Sequence, residues 1–179
     1  MTPRIDRVPY DGAVAQRMIA LVQAEYVRRY GGEDATPLRP ADFEPPHGGF
    51  FVCYLGEEPV ATGAWRRYGA EDAEMKRLFV TESARGRGLA RAMVAHLESD
   101  ARAHGRTRMI LESGSEQPEA LALYASLGYR PVTPFGVYAN EPGARHLGRT
   151  LNGADADISI GTVGAAVSID GMAEPGSLM

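Results

Sequence analysis

The chain has 179 residues, 44% of them apolar, and carries 23 acidic against 19 basic side chains for a formal charge of −4. That length suits one domain with a proper core, and the mildly acidic balance argues against a broad nucleic-acid-binding face. Cys53 is the single cysteine, so no internal disulfide can form, and no run approaches the roughly 18–20 apolar residues of a membrane span; with no signal-like apolar stretch in Met1–Arg7, a cytoplasmic protein is expected.

In chain order, Ile5–Val8 reads as a weak first strand. Asp11 and Gly12 start a helix to about Tyr30, with Val14, Met18, Leu21, Val22 and Tyr26 on one side and Gly31-Gly32 as its stop. A Pro/Gly-rich loop follows to Gly49, with one helical turn at Ala41–Phe43. Phe50–Leu55 and Val60–Arg67 form a hairpin around Gly56–Pro59, and Met75–Val80 is the next strand. A helix from about Gly88 to His104 carries Leu89, Met93, Val94, Leu97 and Ala101 on one face and ends at Gly105.

Thr107–Ser113 is again strand, so strand, helix and strand make a βαβ unit with parallel strands. Glu119–Leu127 is a second short helix closed by Gly128, and Tyr129–Val132 and His146–Leu151 are final strands. Beyond Asn152 the composition turns to Gly, Ala, Ser and Asp with no Lys or Arg. Residues 1–151 are therefore expected to form the domain, with 152–179 a tail or a small hairpin of Ile158–Ile160 with Val167–Ile169.

The most informative stretch is Arg85-Gly86-Arg87-Gly88-Leu89-Ala90, set between a strand and a helix. Glycines there leave backbone N–H groups bare at a helix N-terminus, where they can cradle an anion, and Arg85, Arg87 and Arg91 add charge. Residues 76–108 hold eight basic side chains against three acidic, a net +5 that leaves −9 elsewhere, and such an island suits a small polyanion. The Walker pattern fails for want of Lys-Ser/Thr, and the dinucleotide fingerprint fails because Arg91 stands where its third glycine belongs.

The stretch matches Q/R-x-x-G-x-G/A, with Arg85, Gly88 and Ala90 at the defining positions, and so resembles the acyl-CoA pyrophosphate loop of the GNAT superfamily of N-acetyltransferases. Glu119-Ala120-Leu121-Ala122-Leu123-Tyr124-Ala125-Ser126-Leu127-Gly128-Tyr129 resembles that family's second motif, N-x-x-A-x-x-L-Y-x-x-x-G-F/Y, at the usual distance. Gln117 stands where Asn is common and Glu82 where the loop often has Pro.

The resemblance implies an α/β (α+β) GNAT fold, a mixed and mostly antiparallel sheet with splayed central parallel strands flanked by helices. It implies acetyl-CoA as co-substrate, its pyrophosphate on Gly86–Arg91 (Gly86, Arg87, Gly88, Leu89, Ala90 and Arg91) with Arg85 alongside. The edge of Leu78-Phe79-Val80 would pair with the pantetheine arm, and Gln117 would make a further contact. Tyr124 matches the family's general acid. The backbone N–H of Leu78 or Val80 would polarise the thioester carbonyl, an oxyanion-hole role.

Amide formation requires a neutral amine, and an alkyl ammonium of pKa about 10.4 must lose its proton to a positioned carboxylate. Glu112 ends the strand Met109–Leu111 at the cleft. It precedes Tyr124 by twelve residues, the spacing of the base in the ribosomal-protein N-terminal acetyltransferase branch. Glu74, on the facing strand, is the alternative base. Cys53 reads as strand interior, and the four histidines lack metal-ligand spacing, so neither a thiol nucleophile nor a metal is expected.

By the same resemblance the acceptor lies against the first helix, the Gly31–Gly49 loop and the Pro134–Tyr138 turn, where Tyr26, Tyr30, Phe43, Phe135 and Tyr138 could wall a pocket. The expected acceptor is a small-molecule primary amine. A protein N-terminus or lysine is the alternative within the same chemistry, and a non-catalytic acyl-CoA-binding module the alternative outside it. A monomer or homodimer without nucleic-acid partners is expected.

Overall fold

The computed structural model describes residues 1–151; the expected tail or hairpin of 152–179 lies outside the described residues. The elements are β1 (Pro3–Arg7), α1 (Ala13–Tyr30), a short 3-10 turn at Pro40–Phe43, β2 (Gly48–Leu55), β3 (Glu58–Tyr68), β4 (Asp72–Val80), α2 (Leu89–Ala103), β5 (Arg108–Gly114), α3 (Pro118–Ser126), β6 (Arg130–Pro131) and β7 (Ala144–Thr150). The strands form one sheet of order β1-β2-β3-β4-β5-β7-β6. Every pairing is antiparallel except β4 with β5. Among the described residues no helix is long and apolar enough to cross a membrane.

Strand alternation sends successive side chains to opposite faces. Trp65, Ala73, Met75, Met109 and Leu111 enter a core with Leu89, Met93, Val94, Leu97 and Ala101, the apolar face of α2 expected from its spacing. The opposite face of the sheet packs Phe50, Val52 and Ala64 against Ala15 and Ile19 of α1 and against Phe43. On α1 the buried set is Ala15, Met18, Ile19 and Val22, while Leu21 is 45% exposed. Met18 and Val22 of the expected face are buried and Val14 packs against the sheet, but Leu21 faces out, and Ala15 and Ile19 meet the sheet in its place. Gly31 ends it in the left-handed region at φ 76°, its N–H donating to the Val27 carbonyl.

Two irregularities in β4 shape the rest. Its register with β3 runs Thr62 to Phe79 and then Ala64 to Lys76, so Arg77 and Leu78 together oppose the single residue Gly63. Arg77 takes φ 56°, the left-handed value at a bulge, and the Thr62 hydroxyl donates to its carbonyl at 2.8 Å. The extra residue reverses the alternation, so Lys76 faces α1 while Leu78 packs against the α2 core. The parallel pairing of β4 with β5 stops at Glu74 and Ile110, and past that rung the two strands part.

Candidate active site

Where the strands part there is a cavity of about 520 Å³. Its lining comes from both faces of the sheet. Met75, Leu78, Leu111, Ser113, Gln117 and Tyr124 contribute from the α2 and α3 side. Lys76 and Glu112, one position along the alternation, contribute from the α1 side with Asp34 and Tyr138. The cavity therefore passes through the sheet at the gap.

Glu112 sits near the end of β5, where the strand has lost its parallel neighbour. Its carboxylate makes no hydrogen bond or ion pair among the described residues. Burial raises its pKa above the ordinary value; the Lys76 charge opposes this, while the Asp34 and Glu74 charges reinforce it. Tyr124 comes from α3, 6% exposed, its ring 5.6 Å from that of Tyr129. Burial, with the nearby Tyr26 and Glu112, pushes its phenol well above the ordinary range, so the hydroxyl keeps its proton. Gln117 precedes α3 and accepts a 3.3 Å hydrogen bond from the Ser113 hydroxyl.

Glu74 is placed differently. It lines a smaller adjoining pocket, and Arg66 Nε donates to its carboxylate at 2.7 Å. Of the five expected wall aromatics, Tyr26, Tyr30 and Tyr138 line the main cavity and Phe135 the smaller one. Phe43 does not: it is buried beneath Tyr10, ring on ring at 4.8 Å, because the 3-10 turn folds it onto the sheet.

The glycine turn lies past the end of β4, outside the cavity lining. Gly86 and Gly88 adopt φ 76° and 75°, and a Cβ at either would meet nothing within 4 Å. Gly88 is the N-cap of α2 with no side chain capping the helix, so the turn presents amides to open space. Arg85 Nε donates to the Val80 carbonyl at 3.2 Å and Arg91 to the Ser126 hydroxyl at 2.8 Å, whereas Arg87 is exposed and in no ion pair among the described residues. Phe79 pairs with Thr62 and Val80 with Ala61, so both spend one backbone edge on β3.

The basic segment of the sequence is not one surface island. Lys76 and Arg77 are buried; Arg102 and Arg106 donate to the Leu151 and Ala70 carbonyls, and Arg108 grips Asp72 at 2.7 and 2.8 Å. A helix of 15 residues separates that end from the glycine turn by roughly 20 Å. Cys53 is 1% exposed and burial raises its thiol pKa, which makes it inert.

Asp34 went unread in the sequence, and Lys76 and Arg77 were read only as charge. Asp34 accepts from Lys76 Nζ at 2.9 Å and from Arg77 Nη1 at 2.5 Å, and Tyr138 donates to it at 3.2 Å while accepting the Ala35 N–H at 2.8 Å. Burial alone would raise the Asp34 carboxyl, but the Lys76 charge and the Thr36 hydrogen bonds outweigh it and hold the group far below its usual range. Neighbouring strand residues ordinarily point apart; the bulge lets Lys76 and Arg77 reach one carboxylate. Among the described residues no cluster of His, Cys, Asp and Glu is arranged to hold a metal.

A family model described as the acetyltransferase (GNAT) family matches residues 15–129. An IAA acetyltransferase from Azospirillum brasilense is 39% identical over 69 residues, 38% of this chain and 45% of that protein, so the match spans under half of that relative. The uncharacterized N-acetyltransferase YjgM of Escherichia coli is 30% identical over 130 residues, covering 68% of this chain and 78% of that one. A crystal structure from Klebsiella pneumoniae, provisionally named an acyl-CoA N-acyltransferase, superposes with a TM-score of 0.72 at 25% identity, covering 84% of this chain and 99% of the other.

Proposed function

The chain belongs to the GNAT acetyltransferase family, and from that premise we propose that it moves an acetyl group from acetyl-CoA to the primary amine of a small molecule. The observation that carries this reading is the meeting of a partnerless, partly buried Glu112 with Tyr124 in one cavity at the gap between β4 and β5. A cavity of about 520 Å³ suits a small acceptor, and the Azospirillum relative's name points the same way.

The residues present fit the co-substrate. The open, glycine-lined N-terminus of α2 (residues 86–91) would hold the pyrophosphate, with Arg87 free to pair with it. The unpaired edge of β4 about Leu78–Val80 would hydrogen-bond the pantetheine arm, and Gln117 would add a contact. Bound there, the group supplies an activated acyl thioester.

The chain's own residues do the rest. Three exposed carboxylates on the cavity lining, Glu33, Glu116 and Glu141, attract an ammonium. Glu112 takes its proton, directly or through water. The raised pKa brings this base nearer the working pH, which favours transfer. Glu112 is preferred to Glu74 because Arg66 already occupies the latter. The Leu78 or Val80 amide polarises the acyl carbonyl, and Tyr124, kept protonated by burial, donates to the departing sulfur.

The test is acetyl-CoA turnover with a panel of amines in wild type, Glu112→Gln and Tyr124→Phe, with cofactor affinity measured alongside. Acetyl-CoA binding with no turnover of any amine would replace this reading with a non-catalytic binding module. Turnover confined to peptides would replace the small acceptor with a protein.

A further inference from the structure

Lys76 and Arg77 form a buried cationic pair in the acceptor half of the cavity, and its charge is only half answered. Their side chains are 8% and 3% exposed, and both draw on the single Oδ2 of Asp34. Asp34 is itself heavily subscribed, accepting also from the Thr36 amide and hydroxyl and from Tyr138. Arg77 Nε is buried and has no acceptor at all. Two fixed cations thus face one fixed anion, and one donor is left without a partner.

Glu112 is the other carboxylate whose charge Lys76 feels. A base that must alternate between ionised and neutral cannot serve as a permanent counter-charge. The bulge adds weight: Arg77 is held at φ 56°, strained for a residue with a side chain, and its consequence is to turn a second cation to the same side as Lys76. Strain of this kind persists where the arrangement is used.

We propose that Lys76 and Arg77 bind a carboxylate of the acceptor, so that the substrate is an amino acid or a similar zwitterion whose amine lies against Glu112 while its carboxylate lies against the two cations. This rests on the acyl-transfer reading and narrows it. The exposed acidic rim draws in the ammonium end, and the buried cations select for an anion at the other end. A simple alkylamine passes the rim but leaves the inner pair unanswered. A planar guanidinium and a point-charge ammonium together suit a carboxylate, through charge-assisted hydrogen bonds.

The experiment compares matched pairs, an amino acid against the amine left by removing its carboxyl group, such as phenylalanine with phenethylamine and lysine with cadaverine. Both turnover with acetyl-CoA and calorimetric binding to the enzyme saturated with CoA are read. The expected result is a kcat/KM and an affinity at least about 10-fold in favour of the carboxylate-bearing member. That ratio is expected to collapse toward one in Lys76→Gln and in Arg77→Met. Lys76→Gln carries the test alone if the strained position 77 tolerates no change.

Equal use of both members, or a preference that survives the variants, overturns the inference while leaving acetyl transfer standing. A binding preference without turnover of either member supports the anion site and overturns the transferase instead.

Discussion

Glu112 and Tyr124 stand on opposite sides of the same sheet, one facing α1 and the other carried on α3, yet they line one cavity, and the charge of the first raises the pKa of the second. An intact sheet would keep them apart. They meet because β4 and β5 stop pairing after Glu74 and Ile110, before Glu112 is reached.

The position of Glu112 predicts a pH profile. Its carboxyl titrates above the ordinary value, so the base is lost as pH falls through that raised value, at a higher pH than an exposed Glu would give. In Glu112→Gln, kcat is expected to drop about 10²–10⁴-fold and the acidic limb to vanish. Lys76→Gln removes a charge that lowers this pKa and is expected to move the limb upward. Rate against pH for the three proteins checks both.

Tyr124→Phe removes a hydroxyl that has no hydrogen-bond partner among the described residues. The melting temperature is therefore expected to stay within the change produced by roughly 0.5 kcal/mol, while kcat falls by about 10²-fold or more. An unchanged kcat would leave the ring only its packing against Tyr129.

At Gly88 the added Cβ meets nothing, but φ 75° penalises any side chain by about 1–2 kcal/mol. Gly88→Ala and Gly88→Glu share that backbone cost, so their difference reports the longer, negatively charged side chain. Calorimetry is expected to show acetyl-CoA binding weakened in the first and abolished in the second. Unchanged affinity in the second would remove the turn from the cofactor site.

Asp34 predicts an acid sensitivity of folding. Its folded pKa is depressed, so the unfolded chain takes up the proton first. The stabilisation is complete above the unfolded value of about 3.9 and declines below it by up to about 1.4 kcal/mol per pH unit. Asp34→Asn strands two buried cations and is expected to cost about 3–5 kcal/mol at neutral pH. Urea midpoints should converge for the two proteins as pH falls below 4.

Much of the fold, and the placement of several candidate site residues, was legible in the sequence because it is local. The face of α2, the glycine turn, the Glu112–Tyr124 spacing and the parallel βαβ unit all arise from patterns a dozen or so residues long. What stayed hidden depends on tertiary placement. Lys76 and Arg77 entered the sequence reading only as charge in a basic segment, since alternation ordinarily sends such neighbours to opposite faces. Nothing in the sequence marks the extra residue opposite Gly63 that turns both toward Asp34, some forty positions earlier. Leu21 misled for a similar reason: α1 carries apolar groups around more than one face, and only contact with Phe50 and Val52 selects Ala15 and Ile19.

The parting of β4 from β5 has a further consequence. A strand rim normally invites other polypeptides to add on, with aggregation as the hazard. Here the rim is internal, flanked by β3 on one side and β7 on the other, so it is not offered to a passing strand as an outer edge is. The protein can therefore leave hydrogen-bonding capacity unspent without becoming sticky.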